Sequence, residues 1–203
     1  MGFHSGGNIL DSVIVPARIT EETARLCQKI AADAVGALGD LGGVGVFGIE
    51  LFLDKTGRLF LNEAAPRPHN SGHYTMEACP VCQFEQHVRA AAGLPLGSAR
   101  LLRPAVMLNL LGEPDARGVP VFEGIAEALE TPGLSLHLYG KEEVKPLRKM
   151  GHATITADTL EEALEKADFV RGVLRVRGGG KAAPEGNAAA KTASEKNWPG
   201  RNA

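Results

Sequence analysis

The chain has 203 residues, of which 44% are hydrophobic and 23% charged, and a formal net charge of -2. That is enough chain for one domain or two small ones, and the near-neutral balance offers no broad basic field for nucleic acid. No apolar run approaches the roughly 20 residues that span a bilayer. The start, MGFHSGGNILDS, lacks the basic end and apolar core of a signal peptide, and three cysteines do not make a disulfide framework. A reducing, cytoplasmic setting without membrane contact is expected.

Taken in order, NILDSVIVPARI reads as a β-branched strand closed by Pro16. Thr20 then caps a helix, with Glu21 and Glu22 in its first turn, where the helix dipole favours anions. Leu26, Cys27, Ile30, Ala31, Ala34, Val35 and Leu38 recur at helical spacing, and Gly39 with Gly42–Gly43 stops that helix. In VFGIELFLDKTGRLFLNEA two β-prone runs flank DKTG, a four-residue turn with Asp first and Gly last, which predicts a hairpin. A proline-rich loop follows, then a helix from about Val81 to Ala92, ended by Gly93 and Pro95. PAVMLNLLG, LSLHLYG and HATITAD are strand-like, and DTLEEALEKADFVRGVL is an amphipathic helix in which Asp158 and Glu161 fit a capping box. Residues 177–203 are rich in Gly, Ala, Lys and Asn with almost no large apolar groups, so a disordered tail is expected.

The hairpin carries two carboxylates. If its turn pairs Asp54 with Gly57, Glu50 faces Leu61 and Glu63 faces Gly48. The glutamates are then diagonal neighbours on one face, roughly 7–8 Å apart at their backbones, with open space over Gly48. Two carboxylates on a mostly apolar hairpin repel one another, and a magnesium ion between them relieves this. A solvated face explains the same pattern without a metal. A one-residue bulge in the turn would separate the two onto opposite faces.

The continuation NEAAPRPHNSGHYT, followed by CQFEQHVRAAAGLPLG, resembles the 5-(carboxyamino)imidazole ribonucleotide synthetases of the ATP-grasp superfamily over roughly residues 4–176. The resemblance implies an α+β fold: the second lobe of an ATP-grasp domain over 1–100, a small β-rich C-terminal domain over 101–176, then the tail. It implies ATP-dependent carboxylation of aminoimidazole ribonucleotide, with bicarbonate phosphorylated to carboxyphosphate. It places magnesium on Glu50 and Glu63, and nucleotide contacts on Asn62 and Glu63. His4 falls near the family's nucleotide-contacting histidine, at a spacing one residue longer. Arg67 falls on the carboxyphosphate, with His69 and Asn70 lining the pocket or locking its loop, and Ser71-Gly72-His73 shaping that loop. Within RKMGH, Lys149 is implied to reach back into the active site beside Arg148.

The chain departs from the family pattern by starting inside the second ATP-grasp lobe, so the N-terminal domain and first lobe are expected to be absent. The rival expectation is therefore a non-catalytic fragment or partner that docks to a missing N-terminal half. A second copy of the chain is the other partner left open, and a free-standing metal-binding module is a third reading. Two further signals are set aside. GVGVFG, Gly43–Gly48, matches the dinucleotide fingerprint in letters but precedes a strand where that motif needs a helix. CPVC, Cys79–Cys82, has half a zinc site's spacing with no second cysteine pair, His73 and His87 being the histidines near it.

Overall fold

The computed structural model describes residues 1–5 and 9–179, without the side chains of residues 3–5. Strand β1 (Gly2–Ser5) pairs antiparallel with β2 (Ile9–Val15). Thr20 caps α1 (Glu21–Gly39), its hydroxyl accepting from Thr23 N at 3.2 Å. Strands β3 (Gly48–Leu53) and β4 (Leu59–Ala65) form the expected hairpin. A 3-10 turn at Asn70–Gly72 leads into a short helix, α2 (Thr75–Ala78), then α3 (Gln83–Ala91). Pro80 explains the break between the helices: the residue before a proline is pushed out of the helical region, and Cys79 is extended at φ -130 and ψ 151. Helix α3 accordingly starts two residues later than the spacing predicts, with Cys82 at its N-cap.

The remaining elements are β5 (Ala105–Leu111), β6 (Val119–Glu123), α4 (Ile125–Leu129), β7 (Leu134–Leu138), β8 (Lys149–Thr156), α5 (Leu160–Val173) and β9 (Arg175–Gly179). The cap of α5 is Thr159, whose hydroxyl accepts from Glu162 N at 3.2 Å, one residue beyond the expected Asp158–Glu161 box. Arg177–Gly179, expected in the disordered tail, instead complete β9 against β6. Backbone pairing needs no large side chains, and a β-carbon at Gly178 would overlap the Arg117 backbone, so glycine permits this close approach. Residues 180–203 of the predicted tail lie outside the described residues.

The main sheet has the order β1-β2-β5-β8-β7 and is antiparallel throughout, so strands from both sides of residue 100 share it. Strand β5 is buried along nearly its whole length because both faces are covered. Val106, Leu108 and Leu110 join Met150 and Ile155 of β8 and pack on Ala163, Ala167 and Val170 of α5. On the opposite face Met107 packs with Leu10, Val13 and Tyr74. That face also carries three polar residues in one register row, Asn109 on β5, His152 on β8 and His137 on β7. No helix of the described residues is long and apolar enough to cross a membrane.

Candidate functional site

The hairpin register differs from the expected one in two steps. Gly57 N donates to Asp54 O at 3.0 Å, with Gly57 at φ +84, so the DKTG turn forms as predicted. The strands, however, close one residue wider, through Asp54 N to Arg58 O at 3.0 Å. Asp54 holds this wider loop with its carboxylate, accepting from Thr56 N, Thr56 Oγ1 and Arg58 N at 2.7–2.9 Å, which pulls its pKa down to about 2. That shift alone would send Glu50 and Glu63 to opposite faces. A second irregularity, a bulge between Glu50 and Leu51 against β4, undoes it. Glu50 now pairs directly with Glu63, not diagonally, with Asn62 as the extra residue. Asn62 Nδ2 donates to Glu50 Oε2 at 3.1 Å, so its side chain lies on the same side as that carboxylate.

Gly48 pairs with Ala65, not Glu63, and the space over it is filled. A β-carbon there would overlap the His69 side chain, so the glycine lets the loop fold back onto the hairpin. His69 Nε2 consequently lies 3.7 Å from Glu50 Oε1. The loop that carries His69 is tied down by Gln83, a buried residue at the start of α3. Its Oε1 accepts from His69 N at 2.8 Å, and its Nε2 donates to His69 O at 2.9 Å and lies 3.0 Å from His73 Nδ1. Sequence reasoning missed Gln83, because a glutamine fourteen residues from His69 carries no local signal of that contact.

Lys149 arrives from the other part of the molecule, and a third irregularity aims it. Gly151 pairs with Leu110 and Lys149 with Leu111, leaving Met150 extra. Strict alternation would put Met150 on the His152 face; instead it sits in the α5 core with Ala153 and Ile155, and Lys149 turns to the opposite side. There it stands in the fields of Glu50, Arg67 and Glu63. Burial holds its amine below the usual lysine range; Glu50 and Glu63 oppose that depression, while Arg67 and Lys141 add to it.

The structure therefore brings Glu50, Asn62, Glu63, Arg67, His69 and Lys149 together. Arg67 follows β4, with Nη1 donating to Pro68 O at 3.1 Å. Arg148 sits apart, donating to Glu143 O at 2.8 Å, and its charge bears on Lys141. Lys141 is a cation the sequence reading passed over: its Nζ donates to Lys149 O and lies 5.7 Å from the Tyr139 ring centroid. Asn70 turns away from the carboxylates to form a reciprocal amide pair with Asn109, at 2.9 and 2.6 Å. His4 lies opposite Leu10 in β1, and its side chain lies outside the described residues.

Among the described residues no group of three or more His, Cys, Asp or Glu is arranged to hold a metal alone. The facing glutamates offer two hard carboxylates, the donor set magnesium takes when substrate phosphates supply the rest. Cys79 and Cys82 are free thiols. The Gly43–Gly48 stretch ends in β3, and His87 Nδ1 accepts from Val46 N at 3.1 Å to hold it.

The chain is similar in sequence and fold to known proteins. Residues 3–84 match the ATP-grasp domain, and residues 105–166 match the phosphoribosylaminoimidazole carboxylase C-terminal domain. The N5-carboxyaminoimidazole ribonucleotide synthase of Bacillus subtilis is 45% identical over 159 residues, covering 78% of this chain and 40% of that one. A crystal structure of the Thermotoga maritima N5-carboxyaminoimidazole ribonucleotide synthetase superposes with a TM-score of 0.78 at 55% identity, over 83% of this chain and 46% of that chain. The Aspergillus clavatus synthase, solved with ADP and 5-aminoimidazole ribonucleotide, gives 0.73 at 36% identity, over 84% and 45%. The chain thus spans less than half the length of these relatives.

Proposed function

Because the chain belongs to the N5-carboxyaminoimidazole ribonucleotide synthase family, we propose that it carries the C-terminal catalytic portion of an ATP-dependent carboxylase of aminoimidazole ribonucleotide. Residues 1–100 act as the second ATP-grasp lobe and residues 101–176 as the C-terminal unit, in the cytoplasm. The observation that supports this reading best is Lys149, carried by β8 of the main sheet into the field of Glu50, Arg67 and Glu63.

In this reading Glu50 and Glu63 hold magnesium, which when bound screens the charge of the ATP phosphates. Asn62 and Glu63 contact the nucleotide. Phe52 and Phe60, paired two residues along from Glu50 and half exposed, offer an apolar surface on the same side for its base. A bicarbonate oxygen attacks the terminal phosphorus of ATP, ADP leaves, and carboxyphosphate forms. The Arg67 guanidinium is a planar fork suited to that anion, and His69 lines the same pocket. The exocyclic amine of the ribonucleotide then attacks the carboxyl carbon. A C–N bond forms, the C–O bond to phosphate breaks, and the amine loses a proton. Lys149, its amine made less basic by burial, stands beside the reacting groups. Arg148, next to Lys149 in the chain, is the candidate cation for the ribonucleotide, although its guanidinium here donates to Glu143 O.

A second reading keeps the site but not independent turnover: the chain acts only when joined to the remaining half of the enzyme or to a second copy. It is favoured by α1, which has no buried residue among its nineteen, and by the exposure of Leu53, Phe60 and Leu61 on the hairpin. Phosphate release by the folded chain with magnesium, ATP, bicarbonate and aminoimidazole ribonucleotide separates the two. Release that requires the ribonucleotide supports the catalytic reading. No release alone, but release once the N-terminal half of a relative is added, supports the second. No release in either case overturns both.

A further inference from the structure

The loop and helix after the carboxylate hairpin meet the main sheet through three matched polar contacts. Asn70, His73 and Glu77 are spaced as one face of a helical segment. Each sits on one member of the register row Asn109, His152 and His137. Asn70 and Asn109 exchange two amide hydrogen bonds. The rings of His73 and His152 are stacked, with centroids 4.5 Å apart and an interplanar angle of 18°. His137 Nε2 lies 2.7 Å from Glu77 Oε1 and donates to that carboxylate. The row is also knit across the sheet: His137 stacks on His152 at 4.5 Å, and the Tyr139 hydroxyl lies 2.9 Å from His152 Nδ1.

Each part of the seam leads to the candidate site. Asn70 and His73 belong to the loop that Gln83 clamps together with His69. His152 lies on the strand whose bulge aims Lys149, three residues away. Asn109 also donates to Leu10 O at 2.7 Å, drawing β2 into the same frame. A one-residue slip between the segments would set every donor against the wrong partner, whereas a purely apolar contact would tolerate sliding.

We propose that this seam, Asn70–Asn109, His73–His152 and Glu77–His137, is the positioning element that registers Lys149 against Glu50 and Glu63. The proposal rests on the functional reading above for the purpose of that register, but the register itself can be tested without nucleotide. Its inner rings work as a neutral stack. His73 Nδ1 is approached by the Gln83 amide, and His152 Nε2 is buried with no hydrogen-bond partner among the described residues, so a charged His152 would hold one N–H with no acceptor.

The test is zero-length carbodiimide cross-linking of the folded chain, read by peptide mass spectrometry as the amide between Lys149 and Glu50 or Glu63. The parent chain should form it. His152→Ala and Glu77→Ala should reduce its yield severalfold relative to an internal control pair, Lys29 with Asp33 on α1. His152→Phe, which keeps a stacked neutral ring, and Glu77→Gln, which keeps an acceptor for His137, should restore it. An unchanged yield in folded His152→Ala or Glu77→Ala overturns the proposal. If His152→Ala does not fold, the Glu77 pair decides by itself. Failure of phosphate release with an intact cross-link pattern would count against the catalytic reading and leave the seam standing.

Discussion

The carboxylate hairpin and the polar seam are both built from side chains on β-strands, yet they obey different physics. The hairpin is local: its two glutamates are thirteen residues apart, and Asn62 and Glu63 remain exposed. Glu63 faces solvent, and Glu50 is half-buried beside His69. The seam joins residues up to roughly eighty positions apart in the chain, and its groups are largely withdrawn from water. Most buried polar groups find partners, and the paired groups of the seam find theirs across distant segments, with His152 Nε2 and Glu77 Oε2 left over among the described residues, so the seam specifies geometry where the hairpin specifies chemistry. A site of this kind needs both, because convergent charges are useful only when held in register.

Neutralising one hairpin carboxylate should break the chemical side of that contrast with the largest effect. Glu63→Gln should abolish magnesium-dependent nucleotide binding in any assembly containing this chain, while leaving its thermal melting within about 0.5 kcal/mol of the parent, as expected for an exposed site. Calorimetric titration with and without magnesium checks this; unchanged binding removes the metal assignment. The converse pattern belongs to the seam. His152→Ala deletes a fully buried ring and should cost about 2–3 kcal/mol of stability in chemical denaturation, even without ligand.

The seam should also be sensitive to acid. His152 is lowered to about 3 by burial, then by His73 and His137; His73 is lowered to about 4 by burial, then by His137, Lys149 and His69. A histidine whose folded pKa lies below its unfolded value of 6.5 takes up its proton on unfolding. Its contribution is therefore present above pH 6.5 and is lost as pH falls from there toward 4 and 3. Melting followed between pH 7 and 4 should fall by about 1.4 kcal/mol per pH unit at most for the buried His152, with a smaller share from the less deeply buried His73. His152→Phe should flatten that slope, and an unaltered slope in this variant would show that other groups carry it. The smallest effect expected is at the hairpin loop. Asp54→Ala removes the acceptor of Thr56 N and Arg58 N and should lower the melting temperature only slightly, while narrowing the loop and so weakening magnesium binding through the register of Glu50.

Local chemistry explains what was legible beforehand. Thr20 as a cap, DKTG as a turn, the hairpin and the helix after Thr159 all follow from contacts within a few residues. Motif spelling carried the candidate residues Glu50, Asn62, Glu63, Arg67, His69 and Lys149, which the fold brings together. The helix break at Pro80 and the strand at Arg175–Gly179 were harder, since one short turn and one glycine-rich edge resemble loops in composition.

Register was the quantity that no local pattern could supply. Sidedness in a strand flips with each inserted residue, and three insertions decide how the site faces: one at Arg58, one at Asn62 and one at Met150. The first two cancel and set Glu50 against Glu63; the third turns Lys149 toward them. His69 filling the space over Gly48, Gln83 clamping the loop, and the row of Asn109, His152 and His137 are likewise decided only by packing between distant segments. The amino-acid sequence by itself determined which groups are present and which short elements carry them. Tertiary structure decided which way they face, because a bulge costs little locally and is selected by the core and the hydrogen bonds it lets the whole chain complete.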